Sequence, residues 1–288
     1  MIGFTGSALD RVDHVRQDAA AYAAMRGDWR ARLLVLDGLD PRLDHSGALV
    51  WTSIADLDDD AEVVLLGTAD GKPHFAAVTP APGSAVMRSP AMWRALSLLP
   101  AEQAAIYGTA ISLIGWHGTH RFCSRCGSAT ALFRAGWGRR CEACAAEHFP
   151  RTDPVVIMLA QHEDRVLVGR QSRFPAGNYS ALAGFLEPGE SVEEAVRREL
   201  FEESGIIVGD VRYVASQPWP FGGSQLMIGC IADAEHDAIT LDTRELEDAM
   251  WVTRAEVTAA MAGEPDARFK PPPRFAIAHS LFERWLAV

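Results

Sequence analysis

The chain has 288 residues, 48% hydrophobic and 23% charged, with 27 Lys and Arg against 38 Asp and Glu for a formal charge of −11. That composition excludes disordered and collagen-like chains, and the length suits about two domains with a core that needs no disulfide staples. The acid excess argues against a uniformly basic surface for nucleic acid or anionic lipid.

The amino terminus has no basic start followed by an apolar run, and no stretch approaches the ~18 apolar residues of a membrane span. The expectation is a soluble cytoplasmic protein with no membrane partner. Arg32 to Leu36, Ala48 to Thr52, Glu62 to Leu66 and His74 to Val78 are short apolar runs. Asp37-Gly38, Asp40-Pro41, the acidic cluster Asp56 to Asp60 and Asp70-Gly71 punctuate them as turns. This predicts a small β-rich domain. Gly67 to Lys72 has a superficial likeness to a phosphate loop, but its spacing is too short and Pro73 stands where Ser or Thr is needed.

Residues 91–116 turn helical. Trp93, Leu96, Leu98 and Leu99 precede a break at Pro100, and Ile106, Ala110, Leu113 and Ile114 then recur at helix spacing to about Gly118. This helix is expected to connect the first domain to a cysteine-rich segment.

Cys123-x2-Cys126 and Cys141-x2-Cys144 are separated by fourteen residues. Each C-x-x-C turn supplies two thiolates, and four thiolates satisfy tetrahedral zinc. The intervening Gly136-Trp137-Gly138 segment is long enough for a β-hairpin that joins the two turns, and Gly127 suits the first. Two disulfides or four unrelated buried thiols are the alternatives, and a reducing compartment disfavours them. With four protein ligands the zinc has no open position, which makes it structural. His117, His120 and His148 lie nearby as alternative ligands, but read rather as surface or packing histidines. Cys230, in an apolar strand-like run, reads as a buried thiol.

From Arg151 the chain reads as mixed strand and helix, ending in a helix over roughly residues 275–286 after Pro271-Pro272-Pro273. Within it, Pro188-Gly189 makes a turn, and Ser191 with Glu194 three residues on is a capping box. Val192, Ala195, Val196 and Leu200 give the helix an apolar face, and Gly205 is placed to end it. Glu199, Glu202 and Glu203 then crowd one side of that helix at i, i+3 and i+4. Like charges at this spacing weaken a bare helix by roughly a few tenths of a kcal/mol per pair. Binding of a hard divalent cation supplies a reason for them; a solvated acidic face is the alternative.

Gly184, Glu190, Arg198-Glu199-Leu200, Glu202-Glu203 and Gly205-Ile206 stand at the spacing of the Nudix box, which this segment resembles at every specified position. Farther on, Ser216-Gln217-Pro218-Trp219-Pro220-Phe221 resembles the signature of the NADH pyrophosphatase branch, whose layout also includes a four-cysteine ribbon. Gly222 departs from that signature, which has proline there.

The resemblance implies an α/β fold: an α/β/α Nudix sandwich preceded by a four-cysteine zinc ribbon and a smaller β-rich N-terminal domain. The expected domains are 1–115 (β-rich, with the connecting helix), 116–150 (ribbon) and 151–288 (catalytic). It also implies Mg2+ or Mn2+ held by Glu199, Glu202, Glu203 and Glu245, with Glu247 as the competitor for the last place. Arg198 and Glu190 are implied as the pair that holds loop and helix together. Phe149, Phe185, Ser216, Gln217, Trp219 and Phe221 are the implied substrate contacts, with Phe149 and Phe185 suited to sandwiching adenine across a homodimer. Packing within the fold is the alternative for all four aromatics. The implied reaction is hydrolysis of NAD(H) to NMN(H) and AMP, or removal of an NAD cap from RNA 5′ ends by the same site. For RNA the place to look is the ribbon, where Arg121, Arg125, Arg134, Arg139, Arg140 and Arg151 face only Glu142 and Glu147 in number.

Overall fold

A computed structural model describes residues 2–58, 60–78 and 89–288, leaving Asp59 of the acidic cluster outside. Contacts divide the chain into two compact units. One comprises Phe4–Thr152 with Pro218–Gln225; the other comprises Asp153–Gln217 and Leu226–Val288 with the first residues through Gly3. Among the described residues no helix is long and apolar enough to cross a membrane.

The first unit begins with a 3-10 turn at Asp13–Gln17 and α1 (Ala19–Arg26), capped by Asp18. The strands that follow are β1 (Arg32–Leu34), β2 (Leu36–Asp37), β3 (Asp40–Pro41), β4 (Trp51–Ser53), β5 (Val63–Ala69) and β6 (Lys72–Ala77). Four of them form a sheet in the order β4-β1-β6-β5, in which β1 runs parallel to β6 with Arg32 opposite His74. The apolar runs of the sequence are thus strands, as expected. Their parallel pairing has no signature in turn residues.

Two helices follow, α2 (Pro90–Leu98) and α3 (Ala101–Thr119), broken at Pro100. Residues 104–108 of α3 are buried in succession, so the helix is covered all round and not only along a stripe. The expected boundary at residue 115 falls inside α3, which runs on to Thr119.

The ribbon is a three-stranded sheet of β7 (Thr130–Phe133), β8 (Gly138–Cys141) and β9 (Glu147–His148) in the order β7-β8-β9. Its hairpin turn, Arg134-Ala135-Gly136, is left-handed at all three residues, with φ of 52°, 53° and 87°. This turn docks on β5: Trp137 Nε1 donates to Leu65 O at 2.8 Å, and a Cβ added at Gly136 would meet Val64 Cα at 2.8 Å.

Beneath the hairpin lies a buried polar network. Arg139 donates to Thr130 Oγ1 and Thr130 O, both at 2.8 Å, and to His117 Nδ1 at 3.2 Å, and its Nη2 pairs with Glu62 at 3.3 Å. His117 Nε2 donates to Gly136 O at 2.8 Å, so the imidazole is neutral with its proton on Nε2. Burial pushes the His117 imidazole down to about 4, with the charges of Arg139 and His120 adding to the effect. The folded state therefore binds fewer protons than the unfolded state between pH ~6.5 and ~4. Stability from this group is whole above pH ~6.5 and is lost as pH falls toward ~4, by about 3 kcal/mol. Urea midpoints across that window are expected to fall for the native chain and to fall less for His117→Gln. Parallel profiles for the two would contradict the assignment.

The second unit contains β10 (Asp153–His162), β11 (Arg165–Arg170), β12 (Leu182–Phe185), α4 (Val192–Ser204), β13 (Val208–Trp219), β14 (Gln225–Ala234), β15 (Asp248–Thr253), α5 (Arg254–Ala262) and α6 (Ile277–Leu286). Five strands run β13-β14-β10-β11-β15, and β12 pairs antiparallel with β10, placing Gly184 opposite Val156. Side chains alternate across the sheet. Val156, Met158, Ala160 and Cys230 face Ala195, Val196 and Leu200 of α4. On the opposite face a Cβ added at Gly229 would meet Ile277 and Leu281 of α6. The expected α/β/α layering is present, and Cys230 is a core thiol that burial pushes up to about 11.

Candidate functional site

Local sequence starts and stops α4 where the site needs it. Ser191 Oγ accepts from Glu194 N while Glu194 returns a bond to Ser191 N, completing the capping box. Gly205 ends the helix at φ 70°, in the left-handed region that favours glycine. The apolar face of α4 is buried against the sheet, which fixes the helix rotation and with it the direction of its glutamates.

Arg198 is the hub of the site. It donates to both Glu190 oxygens at 2.6 and 2.9 Å, to Glu199 at 2.8 Å, to Glu202 at 3.0 Å and to Phe185 O at 2.9 Å. One guanidinium therefore ties the loop before the helix, the end of β12 and two of the clustered carboxylates together, a fork that lysine cannot reproduce. Arg198 and the Glu187 amide hold Glu190 down to about 2. The expected Glu190–Arg198 pair is present in the structure.

Glu203 is the opposite case. It is 3% exposed, and its Oε2 has no hydrogen-bond partner among the described residues. Burial, followed by the charges of Glu199, Glu245 and Glu202, pushes its carboxyl up to about 8. Burial also raises Glu199, with Arg198 opposing. A buried, unpaired carboxylate among three others is costly unless a cation joins it. That donor set of hard oxygens fits a small divalent cation.

Gly184 is required by this arrangement. A Cβ there would lie 1.9 Å from Glu199 Cδ, an impossible approach. Gly184→Ala must displace the Glu199 carboxylate or separate β12 from α4, and displacement of this size costs about 10²-fold in rate. Steady-state assay of purified Gly184→Ala should show that loss, and near-native turnover would refute the close-packed role.

The loop before β15 distinguishes Glu245 from Glu247. Leu246 is buried in the core beneath α4, anchoring the loop. Glu247 is paired with Arg170, whereas the charge of Glu245 acts on both Glu199 and Glu203. Glu245 is thus the carboxylate that faces the helix cluster. Sequence alone could not find Arg170, whose partner is distant along the chain and has no local pattern.

The Ser216–Phe221 string is divided in use. Ser216 is half-buried on β13. Gln217 is 0% exposed, donates to Gly3 O at 3.0 Å and Phe275 O at 2.7 Å, and accepts from Ile277 N at 2.8 Å. Phe221 is 1% exposed, and with Trp219 it packs against Phe4 and Trp93 at ring separations of 5.9 to 6.4 Å. Gln217 and Phe221 therefore shape the loop from inside. Gly222 has φ 70° and Gly223 107°, conformations closed to the proline of the related signature. Phe149 and Phe185 are 48% and 53% exposed, which leaves a face of each ring open for stacking.

The four cysteines converge. Their sulfurs lie within 4.8 Å of one another, with Cys123–Cys144 at 3.6 Å and Cys126–Cys141 at 3.5 Å. These distances are far too long for disulfides and close to the ~3.8 Å edge of a tetrahedron with ~2.3 Å zinc–sulfur bonds. His148 Nε2 lies 3.3 Å from Cys123 Sγ, while His117 is bound to Gly136 and His120 stacks on Trp116, so none of the three histidines joins the quartet.

Known proteins carry the same parts. Residues 150–271 match the NUDIX domain family, 119–149 the NADH pyrophosphatase zinc ribbon domain and 28–116 the NADH pyrophosphatase-like rudimentary NUDIX domain. The human NAD-capped RNA hydrolase NUDT12 is 46% identical over 67% of this chain, which spans only 44% of that relative's length. The mouse mitochondrial NAD(P)H pyrophosphatase NUDT13 is 42% identical over 67% of this chain and 58% of its own. The NAD-capped RNA hydrolase NudC of Mycobacterium bovis is 36% identical over 96% of this chain and 92% of its own.

Proposed function

Because the chain belongs to the Nudix hydrolases of the NADH pyrophosphatase type, we propose that it hydrolyses the diphosphate bond of NAD(H) to give NMN(H) and AMP. The observation that carries this reading is Glu203, buried and unpartnered at Oε2 among Glu199, Glu202 and Glu245.

In this reading Glu199, Glu202, Glu203 and Glu245 hold Mg2+ or Mn2+. A cation held by these carboxylates would supply charge neutralisation of the diphosphate and activation of water. Arg198, with Glu190, holds the loop and the helix carboxylates at fixed separation, so that catalysis is largely positioning. The exposed rings of Phe149 and Phe185 stack on the adenine, in a homodimer that sets one against the other. Ser216 and Trp219 line the approach, and Gln217 and Phe221 act by fixing the loop. The four cysteines hold a structural zinc ion. Incubation of NADH with the protein and Mg2+ is expected to yield NMNH and AMP in equal amounts. Intact NADH with either cation would refute the proposal.

A second reading, removal of an NAD cap from RNA, draws support from the exposed ribbon arginines Arg121, Arg125 and Arg140, though not from the buried Arg139, and from what two relatives are named for. Competition between NADH and NAD-capped RNA across a salt series separates the two. Only an RNA track along the ribbon gives capped RNA a steep salt dependence beyond that of the dinucleotide.

A further inference from the structure

Glu245 reaches the helix cluster from a loop that is moored on both sides of it, and the two moorings differ in kind. The first is to the carboxyl end of α4. Thr240 N donates to Ser204 O at 2.8 Å, and Asp242 N donates to Glu203 O at 3.0 Å. These bonds satisfy carbonyls that a helix end leaves open, and one of them belongs to Glu203 itself. A tight turn follows, in which Glu245 N and Leu246 N both donate to Asp242 O, at 3.2 and 3.0 Å. All of this is backbone and makes no demand on side chains.

The second mooring depends on one side chain. Beyond Glu245, Leu246 enters the core and Glu247 N donates to Arg170 O at 2.8 Å. Arg170 is the last residue of β11, set opposite Asp248 of β15 by the ladder. Its side chain is 16% exposed, and its two terminal nitrogens are both engaged: Nη1 pairs with Glu247, and Nη2 donates to Phe174 O at 2.9 Å. Asp248 in turn accepts from Tyr179 Oη at 2.5 Å, and the Arg170 guanidinium lies 5.9 Å from the centre of the Tyr179 ring. One arginine thus joins the end of β11, the segment 174–179 and the residue two positions beyond Glu245. A guanidinium serves a carboxylate and a carbonyl at once from one plane. Among the described residues its ion pair is with Glu247, and with none of the four carboxylates assigned to the cation.

We propose that Arg170 is a positioning residue for the divalent-cation site: acting through Glu247, it holds Glu245 beside Glu199 and Glu203. The inference rests on the cation site of the proposed function and adds to it a residue outside the helix and its loop. Charge and position predict opposite signs here. Removing Arg170 leaves Glu247 unpaired and negative, two residues from Glu245, so charge alone makes cation binding tighter. Loss of position makes it weaker, as removal of groups that orient metal ligands does.

The test is Mn2+ titration of the full, zinc-loaded chain by electron paramagnetic resonance, comparing native protein with Arg170→Gln, Glu247→Gln and the double variant. All three are expected to bind Mn2+ about tenfold more weakly, the double no worse than either single, because each loses the same linkage. Zinc content and melting temperature should stay near native, since a partly exposed ion pair contributes little to global stability. NADH turnover by Arg170→Gln should be low at limiting Mn2+ and recover at saturating Mn2+, whereas general damage to the fold lowers it at every concentration. The double variant leaves no unpaired charge and decides the matter if Arg170→Gln fails to fold: charge alone predicts native affinity for it. Unchanged or tighter Mn2+ binding in Arg170→Gln, native affinity in the double variant, or turnover that saturating Mn2+ does not restore would each overturn the proposal. A native chain that binds no Mn2+ removes the cation site and this inference with it. Mn2+ binding without NADH hydrolysis defeats the substrate reading alone, and the variant affinities still decide the role of Arg170.

Discussion

Glu203→Gln is expected to lower NADH turnover on the order of a thousandfold while leaving the melting temperature unchanged or raised. The two halves of that expectation share a cause. Glu203 is 3% exposed, and in the metal-free site it is pushed up to about 8 by burial and by Glu199, Glu245 and Glu202. At neutral pH the metal-free carboxyl therefore retains a proton, and glutamine is a neutral group of the same shape. The substitution therefore removes a cation ligand while leaving the charge of the buried position unchanged. A variant that both unfolds and loses activity would mark Glu203 as a structural residue, and a fully active one would remove it from the site.

Cys141→Ala is expected to have the largest effect on stability. Cys141 is 1% exposed, begins the second C-x-x-C turn and pairs through β8 with Thr130 of β7. Loss of one thiolate leaves three ligands and an open position, and structural zinc binding contributes ~10 kcal/mol or more to folding of isolated ribbon-sized domains. Because the ribbon hairpin packs on β5 through Trp137 and Gly136, its collapse should also loosen that strand. Metal analysis of the native chain should give one zinc per protein, and Cys141→Ala should give none, with a broad early melt. A native-like melt with full zinc content would contradict a closed four-cysteine site.

The sequence was most informative where each residue has a local reason. Ser191, Glu194 and Gly205 encode the helix ends, and Gly184 is where glycine alone permits Glu199 to lie against β12. These constraints sit within one short stretch, so spacing alone carries them. Long-range partners are less legible. Arg139 is one of six arginines in the ribbon segment, and nothing in its neighbourhood announces His117, Thr130 and Glu62 as its partners. Gln217 and Phe221 look like surface-loop residues by composition, yet the ends of the chain at Gly3 and Phe275 and the ring of Phe4 enclose them. Glu245 and Glu247 are equivalent by pattern and become distinct only when Arg170 takes one of them. Parallel pairing of β1 with β6 is likewise a property of topology, without a turn to mark it.

In the proposed function the carboxylates gathered around Glu203 form a divalent-cation site. Titration of the full, zinc-loaded chain with Mn2+, followed by the loss of its free-ion electron paramagnetic resonance signal, measures occupancy of that site. At least one Mn2+ per chain is expected to bind, weakened strongly in Glu203→Gln and in Glu199→Gln. Equal Mn2+ binding by the native chain and both variants would contradict it.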